Sequence, residues 1–80
     1  MNADVKGKVR QFIVDEVLYG DGTVADEQDL LGGVLDSLAL LQLVEFIESE
    51  FEIEVGDTEM VPDNFLNLAA IDGYVRSRMG

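Results

Sequence analysis

The chain has 80 residues, which is room for one domain spanning 1–80 and not for two, and its 48% hydrophobic content is that of a folded protein. Seventeen Asp and Glu against five Lys and Arg give a net charge of −12, which repels nucleic-acid phosphates and anionic membrane surfaces and steers the molecule toward basic patches on other proteins. With no cysteine and no histidine, disulfides, thiolate metal sites and a Ser–His nucleophile pair are excluded, so any thiol chemistry must use a sulfur brought in from outside.

Residues from about Ala3 to Leu18 read as a helix. Val5, Val9, Phe12, Ile13 and Val17 recur at helical spacing, and Asn2 or Asp4 is placed to cap the start. Tyr19-Gly20-Asp21-Gly22-Thr23 ends it with turn-forming residues. A long loop, roughly Asp21 to Asp36, follows. Val24, Leu30, Leu31, Val34 and Leu35 should anchor it to the core, one helical turn is expected within Asp26–Leu31, and Gly32-Gly33 allow a tight backbone path.

The clearest element is a helix from Ser37 to about Phe51. Leu40, Leu43, Val44, Ile47 and Phe51 form its apolar stripe, and Asp36 is placed as N-cap. Leu38, Leu41 and Phe46 are apolar beyond that stripe and are candidates for a partly exposed patch. Glu52-Ile53-Glu54-Val55 alternates but has no partner strand, so an extended loop is expected. Asp57–Phe65 should hold one short helical turn with Pro62 near its start. A last helix from about Leu66 or Asn67 to Arg78 should bury Leu68, Ala69, Ile71, Tyr74 and Val75. The expected fold is therefore all-α, three main helices plus one short helix, with a long loop between the first and second.

Ser37 is the residue with chemistry in it. A serine at a helix start ordinarily caps backbone N–H groups. Here Asp36 offers the better cap, which leaves the Ser37 hydroxyl one step inside the helix and open to solvent, where a phosphate ester would sit at the positive end of the helix dipole. With no internal base, that hydroxyl would need another enzyme to activate it. The acidic stretch Asp21–Asp29 fails as a calcium loop, because Ala25 stands at a ligand position and Asp26 where a glycine is required, so no metal site is expected.

The run Asp36-Ser37-Leu38, the helix Leu40-Leu41-Gln42-Leu43-Val44-Glu45-Phe46-Ile47-Glu48-Ser49-Glu50-Phe51 and the tail Val61-Pro62-Asp63-Asn64-Phe65-Leu66-Asn67-Leu68-Ala69-Ala70-Ile71 resemble the acyl and peptidyl carrier proteins of fatty-acid, polyketide and nonribosomal peptide biosynthesis. The resemblance covers essentially the whole chain and implies an acyl-carrier-like bundle. It further implies that Ser37 carries a 4′-phosphopantetheine arm from coenzyme A, installed by a phosphopantetheinyl transferase, whose thiol holds an acyl or aminoacyl group as a thioester. Such a chain is not itself an enzyme. Carried over by position, Asp36, Leu38, Leu41, Gln42, Glu45 and Glu48 would meet partners: the transferase, a loading adenylating ligase or acyltransferase, and downstream synthases or transferases with basic docking patches. Ala39 and Gln42 stand where fatty-acid carriers commonly show acids. Together with Leu31-Gly32-Gly33-Val34-Leu35-Asp36 and Asn64-Phe65, they bring the chain nearer to discrete carriers of specialised pathways. A cytoplasmic protein is expected, since no apolar run reaches the length of a membrane span and no basic-then-apolar leader opens the sequence, and a monomer is expected. The competing reading is a small acidic helical interaction module that is never modified.

Overall fold

A computed structural model describes residues 4–79. The first helix, α1, covers Val5–Phe12 and runs on without a break as a π turn over Ile13–Val17. Asp4 caps it, its carboxylate accepting the Gly7 N–H at 3.0 Å, while Asn2 and Ala3 lie outside the described residues. A β-carbon at Gly7 would press on the Asp4 carboxylate, so glycine leaves room for the capping side chain. The helix closes with the Leu18 N–H on the Ile13 carbonyl at 2.9 Å and the Gly20 N–H on the Val14 carbonyl at 2.7 Å. Tyr19 takes the left-handed conformation, φ 54°, to make that turn.

Helix α2 spans Ser37–Phe51, as its periodicity predicts. The stretch after it is extended without a strand, also as expected. Two short turns follow where one was expected, a 3₁₀ turn at Asp57–Glu59 and α3 at Pro62–Phe65, which has proline in its first turn. Helix α4 covers Leu68–Met79. Its start is fixed by Asn67, whose side-chain oxygen accepts the Ala70 N–H at 2.8 Å.

The core is assembled from one face of each helix: Val5, Val9 and Ile13 of α1, Leu43, Val44, Ile47 and Phe51 of α2, Phe65 of α3, and Leu68, Ile71 and Val75 of α4. Ala69, expected inside, faces solvent, because the stripe of α4 runs through 68, 71 and 75; Tyr74 is half-buried. The long loop is tied down by the five apolar residues expected to anchor it. Val24, Leu30 and Leu35 are buried, and Leu31 and Val34 are half-buried.

Polar contacts complete the loop's attachment. Asp26 takes Lys6 at 3.1 Å and also Arg10, while its own carbonyl accepts the Ala69 N–H at 3.1 Å, so one residue ties the loop to α1 and α4. Those two cations, with the Lys6 hydrogen bond foremost, hold the Asp26 carboxyl below its ordinary value. The helical turn expected at Asp26–Leu31 is replaced by separate turns, the first closed by the Gln28 N–H on the Ala25 carbonyl. Asp29 spends its carboxylate on the Leu31 and Gly32 N–H groups at 2.9 and 3.1 Å, which bends the chain away from a helix.

Candidate functional site

The approach to Ser37 is built by local bonds. The Leu35 N–H donates to the Leu30 carbonyl at 2.8 Å, and buried Leu35 anchors the last turn before α2. Gly32 lies so close to Asp29 that a β-carbon would meet its carboxylate at 2.8 Å, and Gly33 has φ 153°; the glycine pair is the path by which the loop reaches the helix. Asp36 then caps α2, its carboxylate accepting the Ala39 N–H at 2.8 Å and its carbonyl accepting the Leu40 N–H at 2.9 Å.

Ser37 is the first helical residue. It is exposed, and its hydroxyl makes no hydrogen bond to any described residue. The backbone N–H groups of Ser37 and Leu38 precede Leu40, the first to donate to an intrahelical carbonyl, so a phosphodiester on the Ser37 oxygen would meet unspent donors and the positive end of the helix. The residues present thus fit a phosphate-linked group. The other serines are differently placed: Ser49 lies within α2, and the Ser77 hydroxyl donates to the Tyr74 carbonyl at 2.6 Å.

Leu38, Leu41, Gln42 and Glu45 fall three and four residues apart and form one exposed face of α2 beside Ser37. The two leucines are 64% and 52% exposed and lie side by side, which makes them a small apolar patch next to Ser37. Glu48 belongs to the same face by spacing but is half-buried. Its carboxylate accepts the Val55 N–H at 2.9 Å and pins the loop after α2. Phe46 is half-buried, its ring stacked on Phe12 with centroids 4.6 Å apart.

Sequence reasoning did not find the far wall of this site. The end of α1 and the loop bring Glu16, Val17, Tyr19 and Val34 against Asp36, Leu38, Ala39 and Gln42, forming a hollow beside the serine. A second hollow continues along α2, lined by Phe12, Glu16, Gln42, Glu45, Phe46 and Ser49. Glu16 and Gln42 belong to both, so the two are one groove between α1 and α2. Tyr19, 87% exposed at the groove's rim, was the available signal: an aromatic ring spent on a turn.

All five cations are engaged elsewhere. Lys6 and Arg10 hold Asp26, Lys8 holds Glu50 at 2.7 Å, Arg76 pairs with Asp72, and Arg78 pairs with Glu59. None of these pairs involves an acid beside Ser37. Among the described residues no group of three or more His, Cys, Asp or Glu could hold a metal ion, and no helix is long and apolar enough to cross a membrane.

No family model matches the chain. A curated relative is the aminoacyl carrier protein of Agrobacterium fabrum (strain C58 / ATCC 33970), 33% identical over 76 residues that cover 95% of this chain and 89% of that one.

Proposed function

The chain belongs to the acyl and aminoacyl carrier protein family, and on that premise we propose that it carries an aminoacyl or acyl intermediate as a thioester on a 4′-phosphopantetheine arm attached to Ser37. The observation that carries this reading is the state of that serine: exposed, unbonded, at the first position of α2, with Asp36 already serving as cap. The aminoacyl alternative is preferred because the relative's name specifies that cargo.

Attachment is a single group transfer. The Ser37 oxygen forms a bond to the pantetheine-side phosphorus of coenzyme A, the pyrophosphate bond breaks, and adenosine 3′,5′-bisphosphate leaves. The serine proton passes to a base on the transferase, since this chain has no histidine to receive it. When bound, the arm supplies the thiol that the chain lacks. The protein's own part is to fix the phosphate end at the helix start, to keep the thioester tethered at high local concentration, and to present Asp36, Leu38, Leu41, Gln42 and Glu45 to basic docking patches of the transferase, the loading ligase and downstream enzymes. It catalyses nothing itself and works where coenzyme A is available, in the cytoplasm.

The test is intact mass. Incubated with coenzyme A and a broad-specificity phosphopantetheinyl transferase, the protein should gain one phosphopantetheinyl group, and so should Ser49→Ala. Ser37→Ala should gain none. A wild-type chain that stays unmodified with several transferases would be an interaction module rather than a carrier of thioesters.

A further inference from the structure

The first helix ends in two departures from regular geometry, and both place side chains at the hollow beside Ser37. The π turn over Ile13–Val17 brings Glu16 and Val17 to its wall, and the left-handed residue that follows, Tyr19 at φ 54°, stands at its rim. A bulky side chain in that conformation is an outlier that costs stability. Tyr19 recovers nothing from packing, since its ring is almost wholly exposed and takes no part in the core. Nothing inside the described fold accounts for an aromatic ring there.

The rest of the hollow has one chemistry. Val17, Val34 and Leu38 give it apolar walls, while Glu16 and Asp36 stand exposed at it, and neither carboxylate pairs with a cation of the described protein. Asp36 spends one carboxylate oxygen on the Ala39 N–H and leaves the other open. An aromatic face, two unpaired carboxylates and apolar walls together suit a flat cation on an aliphatic stem, which is an arginine side chain. Lysine offers the charge without the planar stacking surface. Because Asp36 and Leu38 flank Ser37, that arginine belongs to the enzyme that must reach the Ser37 oxygen itself; enzymes acting later work at the far end of the arm.

We propose that this hollow is a socket for an arginine side chain of the phosphopantetheinyl transferase, with the guanidinium on the Tyr19 ring between Glu16 and Asp36. The inference rests on Ser37 receiving the arm. It makes Tyr19 and Glu16, at the end of the first helix, part of a recognition surface otherwise formed by α2.

The experiment follows loading of the full chain by a broad-specificity transferase and coenzyme A, reading kcat/KM from intact-mass time courses, beside a urea midpoint for every variant. Tyr19→Leu keeps apolar bulk without the aromatic face, and Tyr19→Asn suits the left-handed turn. Both should lower kcat/KM about three- to thirtyfold, the range of a cation–π contact. Tyr19→Asn should do so with a urea midpoint no lower than the parent's, which separates recognition from folding. Tyr19→Phe keeps the ring and should stay within about twofold of the parent. Changing the arginines around the transferase active site singly to alanine should reveal one whose loss costs much less against Tyr19→Leu than against the parent chain. Parental rates in Tyr19→Leu or Tyr19→Asn, or no transferase arginine coupled to Tyr19, would overturn the socket and leave the carrier reading standing. A parent chain that no transferase modifies would overturn the carrier reading and this inference with it.

Discussion

At the scale of single residues, the acids around Ser37 divide into those that build the site and those free to be read by a partner. Asp36 does both. Removing its side chain in Asp36→Ala should cost about 0.5–2 kcal/mol in urea denaturation by loss of the cap, whereas Asp36→Asn should retain stability, because asparagine caps as well. Any loss of transferase rate in Asp36→Asn is then a loss of charge recognition alone. Glu45 and Glu48 look alike in the sequence, three residues apart on one helix face, but only Glu48 holds backbone. Glu48→Ala should destabilise by about 1 kcal/mol, since it strands the Val55 N–H, while Glu45→Gln should stay within about 0.5 kcal/mol of the parent. Equal stability losses in the two variants would contradict that division.

At the scale of elements, α2 was legible almost to the residue, because its apolar stripe, its cap and its bounds are all local properties of the sequence. Its end is less regular. Glu52 closes the helix in the left-handed conformation at φ 55°, where glycine is the usual residue, and places a negative charge at the negative end of the dipole. Glu52→Gly should therefore raise stability by about 0.5–1 kcal/mol, measured as a higher urea midpoint at unchanged slope. What the sequence did not disclose was set by local side-chain bonds in the loop and by tertiary contact. The turn expected at Asp26–Leu31 gives way because the Asp29 carboxylate captures the local N–H groups and Asp26 is drawn to Lys6 and Arg10 on α1. The groove wall from Glu16 to Tyr19 could not be read because it depends on how α1 lies against α2.

The Asp26 tie titrates, and so does a second one, the hydrogen bond from Tyr74 to Glu59. The Asp26 carboxyl is held below its ordinary 3.8, first by the Lys6 hydrogen bond and then by the two nearby cations. Its contribution is present above that ordinary value and is lost as pH falls through the lower folded one. Acid unfolding of Asp26→Asn should accordingly show a shallower dependence on pH than the parent. Tyr74 behaves oppositely. Burial, and then its hydrogen bond to Glu59 at 2.5 Å, raises the phenol from 10.0 to about 12, so its contribution is complete below pH 10 and disappears as pH rises toward 12. Tyr74→Phe should remove that alkaline loss, and a parent-like alkaline limb in the variant would exclude Tyr74 as its source.

At the scale of the whole molecule, charge dominates. Seventeen acids and five bases share a body of 33 × 28 × 21 Å, so at 10 mM salt, where screening extends over about 30 Å, every acid feels the others. The melting temperature should rise as sodium chloride goes from 10 to 150 mM, because screening relieves more repulsion than it weakens in the exposed ion pairs. A falling melting temperature would mean that those pairs outweigh the net charge. Each Lys and Arg is paired with an acid other than Asp36 and Glu45, so the excess of acid is uncompensated on the exposed face of α2 among the described residues.

The chain's lack of cysteine turns the central claim into a count. Titrated with a thiol reagent under denaturing conditions after treatment with coenzyme A and a phosphopantetheinyl transferase, and freed of excess coenzyme A, the protein should show one thiol per chain. The untreated protein and Ser37→Ala should show none. A treated protein with no thiol, or Ser37→Ala with one, would contradict a carrier whose arm is anchored at Ser37.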